Sequence, residues 1–151
     1  MSLNLPHAME VALEEAVAAA VRGEVPVGAA ITTAAGEIVC RAGNRTIEFV
    51  DPTAHAELLA IRAAAQVMGS ERLADCDMYV TLEPCTMCAA AISYARIRRL
   101  YFGAGDPKMG AVEHGPRYYS QPVCHHRPEI YGGIGAARGA AVLKDFFARK
   151  R

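Results

Sequence analysis

His55-Ala56-Glu57 and the later run Pro84-Cys85-Thr86-Met87-Cys88 bring one imidazole, two thiols and one carboxylate into two short segments. Imidazole and thiolate are the donors that zinc prefers. One His and two Cys leave the fourth corner of a tetrahedral ion open for water, as catalytic zinc requires and structural zinc does not. Cys85 and Cys88 are spaced i, i+3, so they share a helix face and can converge on one ion. Each segment sits at the start of a predicted helix, where unpaired N–H groups and partial positive charge favour thiolate over thiol. Glu57 falls on a different azimuth of its helix from His55. It is therefore available to carry protons to and from a water whose pKa zinc lowers to about 7.

Two blander readings compete. A Cys-x-x-Cys with a distant His is often a structural zinc site, but such sites use four protein ligands. His114, His125 and His126 all fall in one irregular stretch with no fixed metal spacing. A redox Cys-x-x-Cys would leave His55-Ala56-Glu57 unexplained. The other cysteines, Cys40, Cys76 and Cys124, read as a small buried hydrophobe and two loop residues. The cysteine total of 5 is odd, which argues against disulfide scaffolding.

The elements that must hold these groups follow from periodicity and punctuation. Residues 6–22 have a helical apolar stripe including Met9, Leu13, Ala16 and Val17, ended by Gly23. Val25 to Thr33 and Gly36 to Ala42 read as a hairpin. Asp51-Pro52-Thr53 is expected to cap a helix from Ala54 to Met68 that stops at Gly69. A strand at Met78–Leu82 leads to a helix with Pro84 as its first residue, running to Tyr94. Ile97 to Gly103 is a strand, 104–128 an irregular loop, 129–131 a short fifth strand, and Ala136 to Arg149 a closing helix. This order predicts one α/β domain over 1–151, a three-layer α/β/α arrangement around a mixed five-stranded sheet.

The chain has 151 residues, 52% hydrophobic and 21% charged, with formal net charge zero, so any polyanion must be met by local patches. No stretch approaches about 18 uninterrupted apolar residues and no basic-apolar leader is visible, so the expectation is a soluble cytoplasmic protein without membrane attachment.

His-x-Glu followed by Pro-Cys-x-x-Cys is the established signature of zinc nucleobase deaminases, and the chain resembles that cytidine deaminase-like superfamily. Thr53 to Glu57 and Tyr79 to Cys88 are similar to the bacterial tRNA-specific adenosine deaminases. So are Glu24-Val25-Pro26-Val27-Gly28-Ala29, Gly43-Asn44-Arg45, Ala95-Arg96-Ile97 and Asp145-Phe146-Phe147. The resemblance implies a homodimer with one Zn²⁺ per chain that converts the wobble adenosine of an arginine tRNA anticodon stem-loop to inosine. It assigns metal binding to His55, Cys85 and Cys88, and proton transfer to Glu57. It gives substrate contacts to Asn44, Val27, the Ala56 and Cys85 N–H groups, Asp106 and Phe147. Read alone, Asn44 is a turn residue, Val27 is core and Phe147 belongs to a packed helix face. Gly105 departs from the family, where a basic residue commonly precedes the aspartate.

An anticodon loop requires cations for phosphates and flat surfaces for splayed bases. Lys108, Arg117, Tyr118, Tyr119, His125, His126 and Arg127 supply both in the irregular loop, as do Phe147, Arg149, Lys150 and Arg151 at the end. Arg96, Arg98 and Arg99 read equally as a dimer-interface or solvated cluster. Two other functions share the zinc residues: deamination of a free nucleobase or nucleoside such as guanine or cytosine, and a non-catalytic zinc-bearing RNA-binding subunit.

Overall fold

A computed structural model describes residues 4–150. Its elements are α1 (His7–Val21), β1 (Gly28–Thr33), β2 (Ile38–Gly43), α2 (Ala56–Met68), β3 (Cys76–Leu82), α3 (Thr86–Tyr94), β4 (Arg99–Ala104), β5 (Glu129–Tyr131) and α4 (Ala136–Arg149), with a 3₁₀ turn at Tyr118–Ser120. The sheet has five strands in the order β2-β1-β3-β4-β5. β1 is antiparallel to both β2 and β3, whereas β3, β4 and β5 run parallel. The mixed sheet expected from the sequence is therefore present. No helix among the described residues is long and apolar enough to cross a membrane.

Side chains alternate across the sheet. Ile31, Met78, Val80, Leu100 and Phe102 point to the side where Ala56, Ala60 and Ala64 of α2 and Ala89 and Ile92 of α3 pack. Ala30, Tyr79 and Tyr101, one step out of phase, meet Ala8, Val11, Met9, Ala12 and Leu13 of α1. Ala56, Ala60 and Ala64 are spaced i, i+4, so α2 presents a flat stripe of methyl groups and lies close on the strands. α4 approaches equally closely, because a Cβ on Gly139 would come within 2.5 Å of the Thr81 carbonyl.

Several boundaries differ from the sequence reading. α2 starts at Ala56 with His55 as its N-cap residue, not at Ala54. Asp51 accepts hydrogen bonds from both the N–H and the hydroxyl of Thr53, forming a local turn before the helix instead of capping it. α3 likewise starts at Thr86 with Cys85 at its N-cap, so Pro84 lies outside the helix. Each metal-binding segment thus stands at the non-helical entry to a helix. β1 starts only at Gly28, because the Val27 N–H bonds back to the Val25 carbonyl in a tight turn. Val17, read as part of the α1 stripe, is 54% exposed.

Gly28 joins the two layers. A Cβ there would come within 1.9 Å of the Ala12 carbonyl on α1, and its N–H donates to Thr81 Oγ1 on β3. Gly28→Ala is expected to lower stability by about 3 kcal/mol, because an added methyl forces α1 off the sheet. A reduced urea midpoint at unchanged slope would show it.

Candidate active site

The starts of α2 and α3 lie side by side. His55 Nδ1 is 3.7 Å from Cys85 Sγ and 3.5 Å from Cys88 Sγ, and all three donor atoms lie within 4.8 Å of one another. Bonds of 2.0–2.3 Å to a tetrahedral zinc ion place such donors roughly 3.6 Å apart. The three side chains therefore fit zinc. Among the described residues this is the one group of three or more His, Cys, Asp or Glu with metal-binding spacing.

The protonation pattern is that of a site built around a cation. The Cys85 thiol is pushed down to about 4, chiefly by the hydrogen bond from Cys88 and also by His55, against the effect of burial. Cys88 is pushed up by that same bond, in which it is the proton donor, and by burial. His55 is pushed up by its contact with Cys85. The two thiols thus share a proton, which a metal binding both sulfurs would displace.

Glu57 occupies the first turn of α2 and is 4% exposed. Burial pushes its carboxyl up to about 7, with the nearby Cys85 charge adding to the effect and His55 opposing it. It stands outside the donor cluster but on the same cleft, so it can exchange protons near neutral pH.

The cleft holds about 280 Å³, near the roughly 300 Å³ lower end of small-ligand sites, and is base-sized. It is lined by His55, Glu57 and Cys85 from the two helix starts, by Val25, Val27, Asn44 and Thr46 from the segments flanking β1 and β2, and by Leu82, Glu83, Asp106 and Met109 from the end of β3 and the segments that follow β3 and β4. A larger groove along α4, about 660 Å³, is lined by residues such as Arg138, Val142 and Asp145 and shares no residue with the donor cluster.

Asn44 Oδ1 accepts the Ala56 N–H at 2.8 Å. That bond corrects the expectation for Ala56: its N–H is already engaged and the residue is fully buried, so it cannot polarise a base. It also fixes the orientation of the Asn44 amide, whose Nδ2 has no protein acceptor among the described residues. The Cys85 N–H likewise has none. Val27 is 6% exposed and belongs to both the cleft and the core. Asp106 reaches the cleft, but its Oδ1 accepts the N–H groups of Lys108 and Met109 in its own turn.

Phe147 does not reach the cleft. It is 50% exposed on α4, edge-to-face with Phe146. Among the residues expected to meet RNA, Tyr119 is buried with its hydroxyl donating to the Ala89 carbonyl, and the His126 ring donates to the Ile97 carbonyl. Arg98 makes a two-pronged pair with Asp77, and Arg99 pairs with Glu129. Tyr119 and His126 are thus engaged within the fold, and the two arginines, read as a dimer-interface or solvated cluster, are held in ion pairs at the surface. Lys108, Arg117, His125 and Arg127 remain exposed, and Arg151 lies outside the described residues. Thr46, Leu82, Glu83 and Met109 went unnoticed in the sequence. Only Glu83 carried a signal, as a charge wedged between an apolar strand and the Pro-Cys pair.

Zinc added to the metal-free protein at neutral pH is expected to release at least about one proton per ion, from the Cys85–Cys88 pair and from His55. Because the metal selects the deprotonated donors, affinity should fall as pH falls. Calorimetry in buffers of different ionisation enthalpy measures the release, and a buffer-independent heat would contradict these thiol states.

The model of the cytidine and deoxycytidylate deaminase zinc-binding region matches residues 4–104. A tRNA-specific adenosine deaminase of Agrobacterium fabrum is 57% identical over 145 residues, covering 96% of this chain and 95% of that protein. A solved structure described as a study of A-to-I editing by tRNA:A34 deaminases at the wobble position superposes with a TM-score of 0.89. It is 58% identical, covering 91% of this chain and 99% of that one. A guanine deaminase from Nitrosomonas europaea has the same fold, with a TM-score of 0.82 at 20% identity over 98% of this chain and 87% of that one. With its donor cluster at the two helix starts and this likeness along nearly its whole length, the chain belongs to the zinc-binding cytidine and deoxycytidylate deaminase family, in the branch of the tRNA-specific adenosine deaminases.

Proposed function

We propose that this chain hydrolyses the 6-amino group from the wobble adenosine of a tRNA anticodon loop, leaving inosine and ammonia, with an arginine tRNA as its substrate. The observation that carries the reading is a base-sized cleft whose floor joins a three-donor metal set to a buried carboxylate near neutrality, in a chain 58% identical to a tRNA:A34 deaminase. On this reading the chain works as a single domain around its one five-stranded sheet, and a tRNA substrate accords with a cytoplasmic enzyme.

His55, Cys85 and Cys88 would hold one zinc ion per chain. When bound, the ion supplies the Lewis acidity that makes water nucleophilic at neutral pH. In the net reaction an oxygen from water replaces the amino group at C6 of adenine. Glu57 carries the protons: its carboxylate takes one from the water and gives it to ring nitrogen N1, then takes the second from the hydroxyl added at C6 and gives it to the departing amine, which leaves as ammonia. A carboxyl near 7 can both accept and release. The free Nδ2 of Asn44 can donate to the base or its ribose, and the Cys85 N–H lies where a donor can polarise the ring. Val27 and Leu82 line the cleft with apolar surface, which helps to exclude bulk water. An unpaired loop lowers the cost of turning the base outward into the cleft.

Exposed Lys108, Arg117, His125 and Arg127 support contacts to the anticodon-loop backbone, and Phe147, Arg149 and Lys150 extend the accessible surface on α4. Val67 and Met68 on α2 and Tyr94 on α3 are 45–69% exposed. That apolar surface supports a homodimer.

Ammonia release and base identity would be measured on an arginine anticodon stem-loop with adenosine at the wobble position, beside free adenosine, guanine and cytosine. Inosine confined to the stem-loop is expected. Turnover of a free base with the stem-loop untouched would instead make the chain a small-molecule deaminase. Zinc retained with no turnover of any substrate would make it a non-catalytic RNA-binding subunit. Glu57→Ala should cut kcat by at least about 100-fold with zinc still bound, a general acid–base contribution. Retained turnover would remove Glu57 from its role.

A further inference from the structure

One wall of the cleft hangs on a buried carboxylate that the proton chemistry does not use. The Glu83 side chain is 0% exposed and lies between the end of β3 and Pro84-Cys85. Five N–H donors converge on it. Its Oε1 accepts from the Asp106 N–H at 3.0 Å and from His114 Nδ1 at 2.6 Å. Its Oε2 accepts the N–H groups of Val112, Glu113 and His114 at 3.0, 2.9 and 3.1 Å.

The segment 106–114 is thus wrapped around one side chain. The Ala111 N–H donates to the Pro84 carbonyl, which ties the wrap to the residue before Cys85. Gly110 makes the closeness possible, because a Cβ there would sit 2.5 Å from Glu83 Cδ and Oε2. The same segment contributes Asp106 and the 63%-exposed Met109 to the cleft wall.

We propose that Glu83 is a positioning residue for the substrate: it holds 106–114 in place so that Asp106 and Met109 line the cleft they share with Asn44. It acts through the loop and not on the base, because no part of its side chain is exposed and both oxygens are engaged. Only a carboxylate suits this place. An amide would turn an NH₂ group toward one of the two donor sets, and those N–H groups would find no other buried acceptor. The loop would then open toward water, and the wall would move away from the bound nucleotide. Glu83 therefore contributes to substrate affinity, while Glu57 and the metal donors set the rate of the chemical step. The proposal rests on the deaminase reading of the cleft.

The test compares full-length wild type with Glu83→Gln, Gly110→Ala and His114→Ala. Zinc content, kcat and KM on the anticodon stem-loop are measured, together with hydrogen exchange of the amides in 106–114. In Glu83→Gln, zinc stays at one per chain, kcat changes less than about threefold, KM rises about tenfold or more, and these amides exchange faster, as expected when a wall shifts by a fraction of an ångström. Gly110→Ala gives the same pattern from the other side of the contact, and His114→Ala a smaller rise in KM. Unchanged KM and unchanged exchange in Glu83→Gln would overturn the proposal. So would a collapse of kcat at constant KM with zinc retained, which would place Glu83 in the chemistry. If Glu83→Gln does not fold, Gly110→Ala decides by the same two readouts. A wild type inactive on the stem-loop would refute the substrate reading, while the exchange rates would still decide whether Glu83 holds the loop.

Discussion

The starts of α2 and α3 meet because both helices lie on the same face of the sheet and approach it closely. Ala56, Ala60 and Ala64 on one helix and Ala89 on the other offer methyl groups where larger side chains would stand the helices off. His55 and Cys85 are both N-cap residues, in extended conformation before the first turn. Their side chains therefore project from the ends of the two helices toward a common point. Cys88 joins them from the first turn of α3. The donor distances, the depth of Glu57 and the floor of the cleft all depend on this convergence.

Three carboxylates are buried around the cleft, and their surroundings give them different work. Burial alone would raise all of them. Glu24, 1% exposed, is nevertheless held below the usual carboxylate range by the amides of Glu48 and Ile47 and the Thr46 hydroxyl. Glu83 is held below it by the amides of Asp106, Glu113 and Val112 and by the His114 ring. Glu57 has only its own N–H and the Cys88 thiol, so burial prevails and its carboxyl sits at about 7. The carboxylates rich in donors remain charged and hold backbone. The one poor in donors exchanges protons. The difference is one of hydrogen-bond count, since all three are acids shielded from water.

The same division shapes the two walls. Glu24 fastens the turn that carries Thr46, and Glu83 fastens the segment that carries Asp106 and Met109. The walls are loops, which suits a site that must admit a nucleotide still attached to RNA. The floor is built from helix starts packed on a sheet, which suits a metal with narrow geometric tolerance.

Local features were legible in the sequence: the helical stripes, the hairpin, the stop at Gly69, and the ligand types at His55, Cys85 and Cys88. They depend on spacing within a few residues, and spacing is what a sequence displays. The element order and the mixed sheet followed from the same signals. Partnerships between distant residues did not. Asn44 engages the Ala56 N–H across 12 positions and Glu83 engages His114 across 31. Tyr119 turned inward and Phe147 came to lie away from the cleft, although both were plain aromatic residues in basic surroundings. The chemistry available to the chain was thus set by residue identity and local spacing. Which donors stay free, which acid keeps its proton and which side chains face the substrate were decided only by folding. Each of these depends on which polar groups the packed core brings within hydrogen-bond distance and which it leaves without a partner.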